Sequence, residues 1–318
     1  MSGSGFRVAM VLAAGRGERM RPLSDVVPKP ALPMPDGPVI GSALRLAVAS
    51  GVERVVVNTW HLGRRMAAAI DEIELPRVEL VLSPESQLMG TAGGLALARD
   101  RGLLGDDGPI LVLNGDGLLG LSVEFLKLRH GSADDLVTLA LLPHLDPNRW
   151  SRVLLDANGL VTHIQSPGPP AQEEAPFLYP GVMAVSRTAL DALPSNPGEI
   201  PDLLWRPAHE SGRLGGVVMA GHWREVGTPS DYREVIAQRL GETSTIRASS
   251  MVAAEARISA SFIGDSVVVQ EGAVVENSVV AEGVVIRCGA RVQDSLVFGA
   301  IEVESGQTIV DEVLARAP

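Results

Sequence analysis

Cysteine and lysine are nearly missing from this chain, and long apolar runs are missing altogether. One cysteine, Cys288, stands in 318 residues, which excludes an internal disulfide and fits a reducing cytoplasm. No apolar run approaches the ~18 residues that a membrane span requires, so no membrane partner is expected. The segment Val8 to Ala14 is too short for a signal-peptide core, and Ser2-Gly3-Ser4-Gly5 reads as a flexible leader. The six histidines and the cysteine show no zinc-ligand spacing, which leaves a hard ion on carboxylates as the metal to expect. Positive charge is in deficit. With 27 basic against 38 acidic residues the net charge is −11, which disfavours nucleic acid as a partner but leaves room for a small anion in one basic pocket.

What is present falls into two rhythms. Up to about residue 240, short β-branched runs alternate with helix-like stretches. Arg7–Leu12, Arg54–Asn58, Val78–Leu82 and Ile110–Leu113 read as strands, and Ile40–Ser50, Leu62–Ile70 and Gly93–Arg101 as helices. That alternation implies an α/β fold, a Rossmann-like, mostly parallel sheet with helices on both faces. Ligands of such sheets sit at the carboxyl edge, where the turns after Leu12 and Leu113 lie. After about residue 245 a 17-residue period takes over. It superposes Gly272, Gly289 and Gly306; Ile258, Val275 and Val292; Ser261, Ser278 and Ser295; and Ile263, Val280 and Val297. The pattern is similar to the hexapeptide repeat of a short left-handed parallel β-helix, with a β-sandwich as the other reading. The expected domains are 1–242 and 246–318. The β-helix is too short to bury much surface by itself, so it is expected to pack on the first domain or on another subunit, where it could build a homo-oligomer. Cys288, inside the repeat, is expected to be packed.

The opening turn carries most of the chemistry. Leu12-Ala13-Ala14-Gly15-Arg16-Gly17-Glu18-Arg19-Met20-Arg21-Pro22-Leu23 follows a strand, and Pro28-Lys29-Pro30 comes soon after. Small residues after a strand let backbone N–H groups approach phosphate oxygens. Arg19 adds a forked cation and Lys29 a mobile one. A dinucleotide site needs a third glycine where Met20 stands, and a Walker loop needs a Gly-Lys-Ser/Thr that is absent. The remaining alternative for the turn is an ordinary strand-to-helix connection, and for Lys29 a solvated loop cation.

The run Leu12 to Lys29 resembles the signature of the sugar-1-phosphate nucleotidyltransferases, or nucleotide-sugar pyrophosphorylases. The resemblance continues through Asn58 with His61-Leu62, Gly90-Thr91-Ala92-Gly93-Gly94, Asn114-Gly115-Asp116 and His222-Trp223-Arg224-Glu225-Val226-Gly227-Thr228. It implies attack of a sugar-1-phosphate oxygen on the α-phosphorus of a nucleoside triphosphate, with release of pyrophosphate. Both substrates are anions, so the protein's task is positioning and charge neutralisation. The resemblance assigns catalysis to Arg19, Lys29 and Asp116. It assigns the nucleotide to Leu12, Ala13, Ala14, Gly15, Arg16, Gly17, Gln87, Gly90, Thr91 and Gly93, with the 90–94 stretch as a base-binding loop. It assigns the sugar to Asn114, Tyr179, Gly181 and Glu199, and Mg2+ to Asp116 and Glu225, with the glycines beside Asp116 admitting the triphosphate. Glu225 departs from the usual aspartate. Gln165-Ser166-Pro167 replaces a Glu-Lys-Pro segment and so lacks a sugar-side lysine. The proline-rich stretch Pro167–Ala175 reads as a flap or a connector.

The 90–94 segment together with the β-helix favours GTP with mannose-1-phosphate or a similar hexose or heptose phosphate. The Gly17–Pro22 run and His222-Trp223 resemble instead uridylyltransferases of amino-sugar recycling, with thymidylyl transfer as a further alternative. A non-catalytic regulatory homologue that binds nucleotide-sugars is the reading from another class. An acyltransferase built on the β-helix is disfavoured, because no histidine follows His222.

Overall fold

The computed structural model describes residues 5–76, 78–170 and 175–317. The leader residues 2–4 and residues 171–174 of the proline-rich stretch lie outside them. The chain forms two compact units. One comprises Met1–Gly15, Ile40–Trp60 and Glu74–Arg224, and the other Arg16–Val39, His61–Ile73 and Glu225–Pro318.

The first unit is built on a sheet of β1 (Val8–Leu12), β2 (Arg54–Thr59), β3 (Glu79–Pro84), β4 (Ile110–Asn114), β6 (Val137–Pro143), β7 (Arg152–Leu155), β8 (Val161–Gln165), β9 (Phe177–Leu178), β10 (Val182–Val185) and β11 (Leu214–Val218). Its order is β3-β2-β1-β4-β10-β6-β9-β7-β8, with β11 also on β6. Strands β1 to β4 are mutually parallel, which is why their middles read as unbroken apolar runs of Val, Leu, Met and Ala. Strand β10 is antiparallel to both β4 and β6, so the sheet is mixed and β6 again runs with β4. The separate pair of β5 (Gly117–Leu121) and β12 (Gly221–Glu225) forms a small second sheet. Helix α1 (Gly41–Ala49) packs on the strands of this unit, whereas α2 (Gly63–Asp71) belongs to the second. Helix α3 (Gly90–Asp100) buries Ala92, Leu95, Ala96 and Ala98 in the core with Met10, Val56 and Val112.

The second unit contains the β-helix. Its three faces carry five, four and four parallel strands. Each rung is paired 17 residues on: Thr245 with Phe262, then Val279, Leu296 and Val313. The expected ladders fall in register, Ile258 with Val275 and Val292, and Ile263 with Val280 and Val297. They fill a narrow aliphatic core. Buried Ser261 and Ser278 each accept the backbone N–H of the serine one coil on, at 3.1 and 3.0 Å. The β-helix does not stand alone in this unit. Tyr232, on the helix Pro229–Leu240, meets Phe298 edge-on at 6.1 Å, and its hydroxyl donates to the Pro33 carbonyl. Cys288 departs from expectation. Its side chain is exposed at a coil corner and donates to Gln270 Oε1 at 3.3 Å, because the aliphatic ladders leave the corners outside the core.

Candidate functional site

In the first unit the carboxyl edge of the sheet is set by two adjacent parallel strands. Leu12 and Asn114, the last residues of β1 and β4, lie opposite each other, and the Gly115 N–H donates to the Leu12 carbonyl at 2.9 Å. The chain leaving β1 therefore runs beside the two-residue turn Gly115–Asp116 that joins β4 to β5. Ala13 and Ala14 are buried, while Gly15 is exposed. A Cβ on Gly15 would meet no described atom within 4 Å, and its φ lies outside the left-handed region. Neither backbone nor packing demands glycine there.

The glycines beside Asp116 are different. A Cβ at 115 would sit 3.0 Å from the Leu12 carbonyl oxygen, and one at 117 would sit 2.8 Å from Trp223 Nε1. Both glycines therefore lie tight against the protein's own atoms. Asn114 and Gly181, two expected sugar contacts, are brought together. Asn114 N–H donates to the Gly181 carbonyl at 2.8 Å, and a Cβ on Gly181, which has φ +84°, would come within 2.7 Å of Asn114 Cβ. Tyr179 packs edge-on against Trp205 at 5.0 Å, and burial pushes its phenol above its ordinary pKa.

The segment 90–94, expected as a loop, is the first turns of helix α3. The backbone donors of Thr91, Ala92 and Gly93 are spent inside the protein. Thr91 donates to Glu199 Oε2 from its N–H at 3.2 Å and from its hydroxyl at 2.7 Å, and the Ala92 and Gly93 N–H groups donate to the Gly198 carbonyl. Glu199 and the Gly198 carbonyl thus cap this helix end from a distant loop. Gly93 is required by Asn196, whose carbonyl would lie 2.8 Å from a Cβ. Gln87 is exposed, its amide 3.8 Å from Met89 Sδ. Of the proline-rich stretch, residues 167–170 are tied down: Gly168 N–H donates to the Pro147 carbonyl at 2.8 Å, and Arg152 to that of Pro169 at 3.0 Å.

The second unit holds the cations. Gly17 adopts φ +65° and opens a short 3-10 turn, Glu18–Met20. A Cβ on it would press to 3.1 Å from Lys29 Cβ, so the turn and Lys29 are in contact. Lys29 is only 6% exposed, which rejects the solvated loop cation. Arg16 is exposed. Arg19 Nη2 donates to Glu225 Oε1 at 2.6 Å; the arginine side chain is 66% exposed and the glutamate 14%. This pairing spans 206 residues, and nothing in the sequence announces it.

Residues 8–242 match the protein family described as nucleotidyl transferase. The chain belongs to this family. Among relatives, it is 26% identical over 231 residues to the mannose-1-phosphate guanylyltransferase catalytic subunit beta of Drosophila melanogaster, covering 72% of this chain and 62% of that protein. It is 30% identical over 232 residues to the mannose-1-phosphate guanylyltransferase of Mycobacterium tuberculosis, covering 70% and 62%. Identity rises to 45%, but over only 111 residues, with the N-acetylmuramate alpha-1-phosphate uridylyltransferase of Neisseria meningitidis, covering 35% of this chain and 47% of that protein. The chain thus spans less than two thirds of the length of these relatives. Crystal structures of HddC from Yersinia pseudotuberculosis, one complexed with GMP-PN, share the fold with TM-score 0.61 at 18% identity, covering 74% of this chain and 100% of theirs. Within the nucleotidyl transferase fold of this chain, one residue escapes sequence reading. Glu85, just past β3, is buried and bonded to both Asn58 and the Met89 N–H. Its only signal is a carboxylate in an otherwise uncharged Ser83-Pro84-Glu85-Ser86-Gln87 exit.

Proposed function

We propose that this nucleotidyl transferase joins a nucleoside triphosphate to a sugar-1-phosphate, giving a nucleotide-sugar and pyrophosphate. The observation that carries the reading is the register of Leu12 with Asn114. It supports the reading because the open Gly15 turn, which we take as the phosphate cradle, follows the strand beside the one that leads to Asp116, at one sheet edge. An oxygen of the sugar phosphate attacks the α-phosphorus in line, and the bond to the β-phosphate oxygen breaks. The nucleophile is already ionised, so no general base is required.

The residues divide the work by charge. Amides from Ala14 to Gly17 receive the phosphates, Arg19 neutralises the departing pyrophosphate, and Lys29 draws the sugar phosphate towards the α-phosphate. Glu225 orients the Arg19 guanidinium, as their ion pair supports. A metal fits this donor set. Mg2+ is ordinarily held by one or two carboxylates together with substrate phosphates rather than by a protein cage, and among the described residues no group of three or more His, Cys, Asp or Glu is placed to form such a cage. Asp116 would hold it, with Glu225 as the second carboxylate. When bound, the ion supplies charge neutralisation on the phosphate oxygens.

For the substrate pair, the guanylyltransferase relatives matched over more than two thirds of this chain favour GTP with mannose-1-phosphate or a similar hexose or heptose phosphate. The higher identity to the Neisseria uridylyltransferase over 111 residues supports UTP with an amino-sugar phosphate as the second reading. No helix among the described residues is long and apolar enough to cross a membrane, and we assign the reaction to the cytoplasm on the strength of the lone cysteine. Pyrophosphate release, measured with Mg2+ over the common triphosphates and sugar-1-phosphates, tests the proposal. One pair should turn over, and Asp116→Asn should reduce that turnover by about a hundredfold or more while leaving the fold intact. Nucleotide-sugar binding without turnover of any pair would establish the regulatory alternative instead.

A further inference from the structure

We infer that Asn58 and Glu85 form a buried relay that anchors the chain at Ala13 and so fixes the start of the cradle for the incoming nucleotide, with Glu85 as a positioning residue that touches no substrate. The inference rests on the reading of the β1 exit as the phosphate cradle. Ala13 N–H donates to Asn58 Oδ1 at 2.8 Å, Asn58 Nδ2 donates to Glu85 Oε1 at 2.7 Å, and the Met89 N–H donates to Glu85 Oε2 at 3.0 Å. Asn58 is 2% exposed and Glu85 7%. The relay therefore runs from the exit of β1, through the end of β2, to the first residue before helix α3.

Each chemical group in it is dictated by its neighbour. A backbone N–H at Ala13 can only donate, which turns the oxygen of the Asn58 amide towards it and the nitrogen towards residue 85. That nitrogen needs an acceptor, and so does the Met89 N–H on the other side. A carboxylate accepts at both ends, whereas a glutamine cannot. Burying a carboxylate is unfavourable unless its oxygens are bonded, so an apolar side chain would be the easier filling for this space. Helix α3 even makes room for it. A Cβ on Gly94 would come 2.7 Å from Asn58 Nδ2 and 2.9 Å from Glu85 Oε1. The second glycine of the Gly93-Gly94 pair is thus explained by the relay. What the carboxylate achieves is to lock the direction of the chain entering Ala14–Gly15 to the start of α3.

The arrangement permits a swap test. In Asn58→Asp two carboxylates face each other. In Glu85→Gln, one glutamine nitrogen must point at a donor. Combining Asn58→Asp with Glu85→Gln restores all three hydrogen bonds. The introduced aspartate accepts from the Ala13 N–H and from the amide nitrogen of the introduced glutamine, and the glutamine oxygen accepts from the Met89 N–H. The net charge is unchanged.

The readouts are calorimetric Kd values for GTP and UTP, the KM of each substrate, and the melting temperature. Each single variant should weaken nucleotide binding by about tenfold or more, with the sugar-1-phosphate KM moving by less than about twofold. The double variant should return to within about threefold of the wild-type nucleotide Kd. If the singles bind nucleotide normally, if both substrates weaken alike, or if the double variant is no better than the worse single, the relay is not a positioning device. Should the singles fail to fold, a double variant that folds and binds nucleotide supports the relay, and one that does not overturns it. A wild-type protein that binds nucleotide but turns over no substrate pair refutes the transferase reading alone, since the Kd comparison still decides the relay. One that binds none of the common nucleoside triphosphates refutes both.

Discussion

Gly15 and Gly17 stand two residues apart in the same turn, and the structure gives them opposite reasons for being glycine. At Gly17 the reasons are internal: φ is +65°, and a methyl group would press on Lys29 Cβ at 3.1 Å. Gly17→Ala should therefore cost stability, about 1–3 kcal/mol from the left-handed backbone and the forced shift of the lysine. At Gly15 neither cause exists. A methyl there enters open space, and restricting the unfolded chain should leave stability unchanged or raised by up to about 1 kcal/mol. If the open space is where triphosphate oxygens approach, the same methyl excludes one charge-assisted N–H···O bond, about 1.5–3 kcal/mol. That corresponds to roughly a ten- to hundredfold rise in the KM for the triphosphate. Urea unfolding of both variants, alongside steady-state pyrophosphate release, separates the two effects. Gly15→Ala should be as stable as wild type and poorly active. A Gly15→Ala enzyme with wild-type kinetics would remove the phosphate cradle from this turn.

Three further outcomes follow from described contacts. Stability should fall as pH drops below the unfolded histidine value near 6.5, because burial lowers the pKa of His130 in the fold, so the unfolded chain takes up the proton first. Asp135 opposes this shift without overcoming it; His130→Asn should flatten the slope in melting curves collected from about pH 7.5 to 5.5. Ser278→Ala should cost about 1–3 kcal/mol in thermal unfolding, since it strands the buried N–H of Ser295, now 3.0 Å from the serine oxygen. Glu225→Gln should loosen Arg19 by weakening a charge-assisted bond of 2.6 Å, seen as a higher KM for pyrophosphate in the reverse reaction; an unchanged value would dissociate the two residues functionally.

Local rules make much of this molecule legible. The β1 strand and its glycine turn are readable because a buried parallel strand is uniformly apolar and the turn residues follow it directly. The β-helix is readable because every coil repeats the same demand every 17 residues, a period the register reproduces. Misreadings arise where a residue answers to a distant partner. The Gly-Thr-Ala-Gly-Gly run is a loop by resemblance, but Glu199 and Gly198 cap it and the core buries Ala92 and Leu95, so the helix read from Gly93 begins already at Gly90. Cysteine is usually buried, which puts Cys288 inside on residue type alone, but its phase in the 17-residue coil places it at a corner. Glu85 and the Arg19–Glu225 pair involve partners 27 and 206 residues away, beyond any local pattern.

The coil of 17 residues also makes length a quantised property of the carboxyl-terminal part of this chain. Because Ile258, Val275 and Val292 stack on one face and Ser261, Ser278 and Ser295 bond from coil to coil, the ladders tolerate gain or loss of chain only in whole turns. Excising residues 271–287 would bring each remaining side chain onto an equivalent neighbour and shorten every ladder by one rung. Removing one residue fewer would rotate all later side chains out of phase, sending valines to the corners and corner residues such as Asp294 and Asp311 towards the aliphatic interior. Variation in this region is therefore expected to arrive as duplicated or deleted coils, and the size of a relative's tail can be counted in steps of the same unit.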